Sequence, residues 1–236
     1  MTFNINNMHL AIVIPVFNEE EVVKKVIDSL PKKIKGIDKI TILAVNDGST
    51  DNSASEIKKT RAVLISLPLN LGYGGANITG IEATKILHAD IVVTFDGDGQ
   101  HNPKEIEKII QPILSGAADF VIGVRSINNN KMPKIKKIGN WGMSFITSIL
   151  SKSWVTDSQS GFKAFSRFAI DKMKIDALGY EFCSELVIEA KRQNIKIKEI
   201  PISAIYTDYS MRKGQSIFNG MNLVVKLFFK KFTREK

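Results

Sequence analysis

The chain has 236 residues, 44% of them hydrophobic and 24% charged, which is enough apolar material for a real core and excludes disordered and fibrous classes. A formal net charge of +9 favours anionic partners, such as phosphorylated compounds or an acidic membrane surface. Zinc-finger spacing, a basic heptad region and an aromatic RNA-binding signature are all missing, which points away from nucleic acid.

The first half alternates short apolar runs with helix-period segments, the pattern of a parallel sheet with crossover helices. His9 to Val16 reads as a strand, and Val22, Val23, Val26, Ile27 and Leu30 recur at helical spacing. Ile40 to Val45 is a second strand, Asp51 to Thr60 a short helix and Ala62 to Leu67 a third strand. A helix near Gly75 to Leu87 leads to a fourth strand, Ile91 to Phe95. Asn102 suits a helix N-cap, with Pro103 at the first helical position and Glu105 at the third. Phe120 to Val124 is the fifth strand. Beyond Arg125 come a polar turn (Asn128 to Asn130), a helix from about Ile135 to Leu150, a loop and strand over Asp157 to Phe165, a helix over Tyr180 to Gln193 and a strand over Ile195 to Ile202.

Two other features bear on location. Cys183 is the single cysteine, so an internal disulfide is excluded and a reducing compartment is expected; with Phe182, Leu186 and Val187 around it, it reads as a buried thiol. The last helical stretch, about Ser216 to Phe232, sets Ile217, Met221, Val224, Phe228 and Phe232 on one face, with Lys226, Lys230, Lys231, Arg234 and Lys236 clustered late. That is the pattern of an interfacial helix on anionic lipid, or of a face docked on the protein's own core. No run approaches the ~20 apolar residues of a membrane span, and the N-terminus is polar. The expectation is a cytoplasmic protein, peripheral on the cytoplasmic face of a membrane.

The polar residues worth attention fall at strand ends, along the edge where open α/β sheets bind ligands. Asp96-Gly97-Asp98-Gly99-Gln100-His101 directly follows the fourth strand. Two carboxylates and an amide on alternate residues can converge on one hard cation, and such an ion neutralises a departing diphosphate. Asn46-Asp47-Gly48-Ser49-Thr50-Asp51 follows the second strand, where Asp47 can accept from a base or ribose and Asp51 can cap a helix. Pro15-Val16-Phe17-Asn18-Glu19 closes the first strand. Asn70-Leu71-Gly72-Tyr73-Gly74-Gly75-Ala76 is a glycine-rich turn into a helix N-terminus, suited to an anion or to close backbone packing.

In this order the four segments resemble family 2 glycosyltransferases of the GT-A fold. Gly123-Val124-Arg125, Asp157 to Lys163, Glu199 to Ile202 and Arg212 to Ser216 are similar to the branch that glycosylates polyprenyl phosphates, the dolichyl-phosphate mannose and glucose synthases. The resemblance implies an α/β fold: a Rossmann-like, mostly parallel sheet flanked by helices, one domain over residues 1–214, with the amphipathic basic helix over 215–236. It implies an inverting transferase that moves a hexose from a GDP- or UDP-sugar to a polyprenyl (dolichyl) phosphate. By the same resemblance Pro15, Phe17, Asn18, Glu19, Asp47, Asp96 and Gln100 hold the nucleotide sugar, and Asp96, Asp98 and Gln100 hold Mg²⁺ or Mn²⁺. Asp98, Arg125 and Arg212 carry catalysis, while Arg125, Lys137 and Ser216, with Lys134 or Lys136 as alternatives to Lys137, meet the acceptor phosphate. The chain departs from the pattern at Asn46, where the family usually has an acidic residue, and the Gln-x-x-Arg-Trp signature of processive synthases is absent.

A hydroxyl acceptor needs a general base, for which Glu181 and Glu185, at i, i+4 spacing, are the reserve candidates; as an alternative they form a solvated helix edge. A phosphate acceptor is already anionic and needs none. Other readings remain: transfer to a glycan or glycolipid hydroxyl, sugar-phosphate nucleotidyl transfer, and a non-catalytic nucleotide-sugar-binding module.

Overall fold

A computed structural model describes residues 7–125 and 134–205, with side chains for all of these but 134–136. The expected turn at Asn128 to Asn130, Arg212, Ser216 and the 215–236 helix lie outside the described residues.

Seven strands form one sheet: β1 (His9–Val16), β2 (Lys39–Asp47), β3 (Val63–Leu67), β4 (Ile91–Thr94), β5 (Phe120–Arg125), β6 (Lys163–Ser166) and β7 (Ile197–Ile202), in the order β3-β2-β1-β4-β6-β5-β7. Only β6 runs against its neighbours, β4 and β5. The helices are α1 (Val23–Ser29), α2 (Ser53–Lys58), α3 (Tyr73–Ile86), α4 (Ile106–Leu114), α5 (Lys134–Ser151), α6 (Arg167–Lys172) and α7 (Glu181–Arg192). The described residues thus form a single α/β domain of the expected mostly parallel kind.

The strand period of two sorts side chains onto two faces. Along β1, Leu10, Ile12, Ile14 and Val16 join the core under α1, α2 and α4, whereas Ala11 and Val13 join the core under α3, α6 and α7. A sheet covered on both sides has apolar strands throughout, hence the unbroken run in β1. The 3-10 turn Pro103–Glu105 enters α4 with the Asn102 side chain accepting from Lys104 N, as the sequence predicts. The short helix α6 has no counterpart in the sequence reading; Ser166 caps it by accepting from Ala169 N.

Strand β1 has β2 on one side and β4 on the other, so the order reverses there, the place where open α/β sheets bind ligands beyond the C-terminal strand ends. The loops after β1, β2 and β4 leave the sheet at that edge.

Candidate functional site

The Asp96–Gln100 turn leaves β4 against the end of β1. A side-chain carbon on Gly97 would meet the Pro15 carbonyl oxygen at 3.1 Å, so the glycine permits the contact. Asp96 is held from three sides. Its Oδ1 accepts from the Tyr73 hydroxyl at 2.9 Å, and its Oδ2 lies 2.9 Å from His101 Nε2. On the third side is Gly161, where an added carbon would fall 2.1 to 2.4 Å from the carboxylate atoms. Any side chain at 161 would displace Asp96.

His101 is buried between the rings of Phe95 and Phe162. Its Nδ1 has no hydrogen-bond partner among the described residues. The Nε2–H tautomer donates to Asp96 and leaves only a bare acceptor in that apolar pocket, which costs less than burying an unpartnered N–H. Burial pushes the Asp96 carboxyl up, but His101, Tyr73 and the Lys163 charge outweigh it and hold the group below its ordinary value. Burial, then the Asp96 charge, raises Tyr73 well above its usual range, so it remains a donor.

Asp98 is the opposite case. Burial and the neighbouring Asp96 charge push it up to about 6, with Glu19 adding in the same direction. Its Oδ1 accepts from Gln100 N at 3.0 Å. Two carboxylates held close in a desolvated place carry an excess of negative charge that a divalent cation relieves. Among the described residues no three His, Cys, Asp or Glu side chains form a metal cluster. Asp96, Asp98 and the Gln100 carboxamide, which the sequence reading expects to hold a metal, are all oxygen groups of the kind Mg²⁺ takes alongside ligand phosphates.

The loop after β1 is built as a rigid wall. Asn18 takes a left-handed φ of 53°, its N–H donates to Ser49 Oγ, and its Oδ1 accepts from Thr50 N. Glu19 N donates to Ser53 Oγ at 2.7 Å, and Glu20 N donates to Asp51, whose other oxygen accepts from Ser53 N at the start of α2. Asn46 shapes the same turn by accepting from Ser49 N. Glu19 is buried, close enough for its charge to act on Asp98, and Phe17 remains 44% exposed.

Asp47, the glycine-rich turn and Arg125 have protein partners that the sequence does not name. Asp47 is buried and accepts from Leu71 N at 2.7 Å and Gly72 N at 2.9 Å, holding the entry to α3 rather than facing an open pocket. The glycine-rich turn is a packing device: an added carbon at Gly74 would lie 2.0 Å from the Ala177 carbonyl oxygen, and Gly75 N donates to Leu178 O. Of the two readings of that turn, the anion site gives way to close backbone packing. Arg125 points its fork at Asp157, Nε to Oδ2 at 2.7 Å and Nη2 to Oδ1 at 2.8 Å, in a largely buried pair. Burial pushes the Asp157 carboxyl up, and Arg125 more than reverses this.

Lys137 sits in the first turn of α5, half-buried. Glu185 is no solvated edge: it is buried and its Oε2 accepts from Asp176 N and Ala177 N. Glu181 accepts from Gly179 N at 3.3 Å. Cys183 is a free, buried thiol, as read from its neighbours. Tyr73, His101, Gly161 and the buried Lys163, whose ammonium donates to the Ser160 carbonyl oxygen, had no assigned role. Each stood inside a motif, but only the tertiary contact with the Asp96 region shows what it does.

After β7 the chain returns to the site: Ser203 N donates to Glu105, and Ile205 N donates to Gln100 O at 2.8 Å.

The family model described as Glycosyl transferase family 2 matches residues 11–174. The chain is 40% identical over 242 residues to a UDP-N-acetylglucosamine–dolichyl-phosphate N-acetylglucosaminyltransferase of Methanococcus voltae, covering 93% of this chain and 95% of that protein. It is 28% identical over 230 residues to an undecaprenyl-phosphate mannosyltransferase of Micrococcus luteus, covering 90% and 92%. Among solved structures, glucosyl-3-phosphoglycerate synthase from Mycobacterium tuberculosis, in complex with Mn²⁺, uridine diphosphate and glucosyl-3-phosphoglycerate, superposes with a TM-score of 0.74 at 18% identity, over 95% of this chain and 80% of that one. That likeness is one of fold.

Proposed function

The chain belongs to glycosyl transferase family 2, and from that premise we propose that it transfers a hexose-type sugar from a nucleoside diphosphate to a polyprenyl phosphate. The observation that carries the proposal is the strained carboxylate pair: Asp96 pinned as an anion by Tyr73 and His101, with Asp98 raised beside it to about 6. Such a pair is arranged for a cation, and a cation beyond the fourth strand of this sheet is arranged for a diphosphate.

Asp96, Asp98 and Gln100 hold the ion in this reading. Bound Mg²⁺ or Mn²⁺ supplies charge neutralisation for the leaving diphosphate. Phe17 and Glu19 line the nucleotide side, and Asp47 keeps the next loop in place. The acceptor's phosphate oxygen forms the new bond to the anomeric carbon as the bond to the nucleoside diphosphate breaks, a single displacement with inversion. A phosphate monoester attacks as the anion it already is, so the reaction needs no general base. This agrees with Glu185 being occupied by backbone N–H groups. Arg212 and Ser216 come into the acceptor role through chain reach. Ile205 is tied to Gln100, and the seven residues to Arg212 span at most ~25 Å, the eleven to Ser216 at most ~40 Å. Arg125 holds Asp157, and with it the loop that presses Gly161 onto Asp96; phosphate contact passes to Lys137 and Arg212.

The Methanococcus voltae relative makes UDP-N-acetylglucosamine the first donor to test. A thermal-shift panel of UDP- and GDP-sugars, each with Mn²⁺ and with chelator, is expected to show metal-dependent stabilisation by one nucleotide. Transfer of that sugar to a polyprenyl phosphate is then followed by product anomeric configuration. Retention of the donor configuration, or transfer to hydroxyl but not phosphate acceptors, would refute the scheme.

A further inference from the structure

Lys163 is a buried charge that the transfer scheme leaves without a task. It is 1% exposed, on the one strand that runs against its neighbours, opposite Thr94 of β4 and Ile122 of β5. By the strand period it shares a face with Phe165, the face covered by α7, and Cys183 of that helix lies within hydrogen-bonding reach of its ammonium. The ammonium donates to the Ser160 carbonyl oxygen. Taking an ammonium out of water is costly, and a methionine of similar length would fill the same space without that cost. The charge, rather than the volume, is what wants a reason.

That charge acts on two carboxylates. One is Asp157, where burial is opposed first by Arg125 and then by Lys163. The other is Asp96, where burial is opposed by the hydrogen bonds of His101 and Tyr73 and by the full positive charge of Lys163. One loop joins the two places. Ser160, which Lys163 holds, is followed by Gly161, whose carbonyl oxygen accepts from Thr94 Oγ1 at 2.8 Å and whose α-carbon abuts Asp96. Asp98 and Glu19 stand close enough to share in the same field. Among the described residues, then, Glu19, Asp96, Asp98 and Asp157 gather near Arg125 and Lys163, and Arg125 spends both arms of its fork on Asp157. Lys163 is left as the standing counter-charge to Asp96.

A fixed positive charge beside a carboxylate pair acts in opposite directions on the two things that the pair is to hold. It repels a bare divalent cation and attracts the diphosphate that such a cation carries. We infer that Lys163 is a positioning residue of the donor side: its ammonium weakens the site for a lone metal ion and strengthens it for the metal's diphosphate, so that the two enter as one complex. The inference rests on the reading of Asp96 and Asp98 as the place of a metal and a diphosphate, and adds to it how that place is loaded.

Two neutral variants of the full chain, Lys163→Met and Lys163→Gln, separate charge from packing, and the glutamine also keeps a donor for the Ser160 carbonyl oxygen. Binding of Mn²⁺ without nucleotide is read from the electron paramagnetic resonance signal of the free ion. Binding of UDP and of GDP, each in saturating Mn²⁺, is read by calorimetry. Both variants are expected to bind Mn²⁺ ~3–10-fold more tightly than the parent, and the nucleotide that the parent holds ~3–10-fold more weakly. A lysine that only supports the loop would give losses in both titrations, because a loosened Gly161 would misplace Asp96. Parallel changes, or no change, would overturn the inference. Failure of both variants to fold would overturn it too, since the ammonium would then serve the fold. A parent that binds neither UDP nor GDP in Mn²⁺ would instead remove the donor reading, and this role with it.

Discussion

Replacing Asp98 by Asn removes one charge from the carboxylate pair and keeps the shape, since the amide oxygen can still accept from Gln100 N. An unfolded aspartate titrates near ~3.9, whereas folded Asp98 holds its proton up to about 6, because of burial and the Asp96 charge. Between those values the folded state binds more protons than the unfolded one. Stability of the metal-free protein therefore falls as pH rises through that window, and the cost is fully present above it. The gap corresponds to ~3 kcal/mol, and partial exposure of Asp98 trims this to ~2–3. For a chain of this size that is about 4–12 °C in Tm. Thermal unfolding in chelator should thus show Asp98→Asn more stable than the parent at pH 7.5 and indistinguishable from it near pH 4. Adding Mn²⁺ at about 100 times its Kd should restore ~2.7 kcal/mol to the parent and nothing to the variant, while transfer activity is lost. A variant no more stable than the parent in chelator at pH 7.5 would refute the argument that Asp96 and Asp98 repel each other in a desolvated site.

Two other substitutions probe what holds the pair. Gly161→Ala drives a carbon into the Asp96 carboxylate; we expect ~1–3 kcal/mol of destabilisation by urea unfolding and a loss of ~100-fold in kcat/KM, and parent-like kinetics would contradict the packing. Arg125→Lys replaces the two-point grip on Asp157 by a point charge, at a cost of ~1–3 kcal/mol near neutral pH. Because Asp157 sits below its ordinary value in the folded chain, that stabilisation is present above pH ~4 and lost as pH falls through the folded value. The difference between parent and variant should shrink in acid urea titrations, and a difference independent of pH would count against the pairing.

Much of this protein was readable in one dimension because its signals are local. Apolar runs of strand length separated by helical periods name the elements, and Asn102-Pro103 announces a cap that the structure contains. The Asp96–His101 segment displays its carboxylates at the end of a strand whatever surrounds it. The direction of β6 and the existence of α6 were not readable, since a four-residue strand pairs either way until its neighbours are placed. Asp47, Arg125 and Glu185 illustrate the same limit. A carboxylate or guanidinium in a motif offers lone pairs or N–H groups to any partner, and only tertiary distance decided that Leu71 and Gly72, Asp157, and Asp176 and Ala177 would take them. Sequence alone determined which chemistry stands at the ends of β1, β2 and β4. The tertiary structure decided which of those groups crowd together as charge and which bond to the protein's own backbone, because burial and mutual repulsion arise only when distant segments meet.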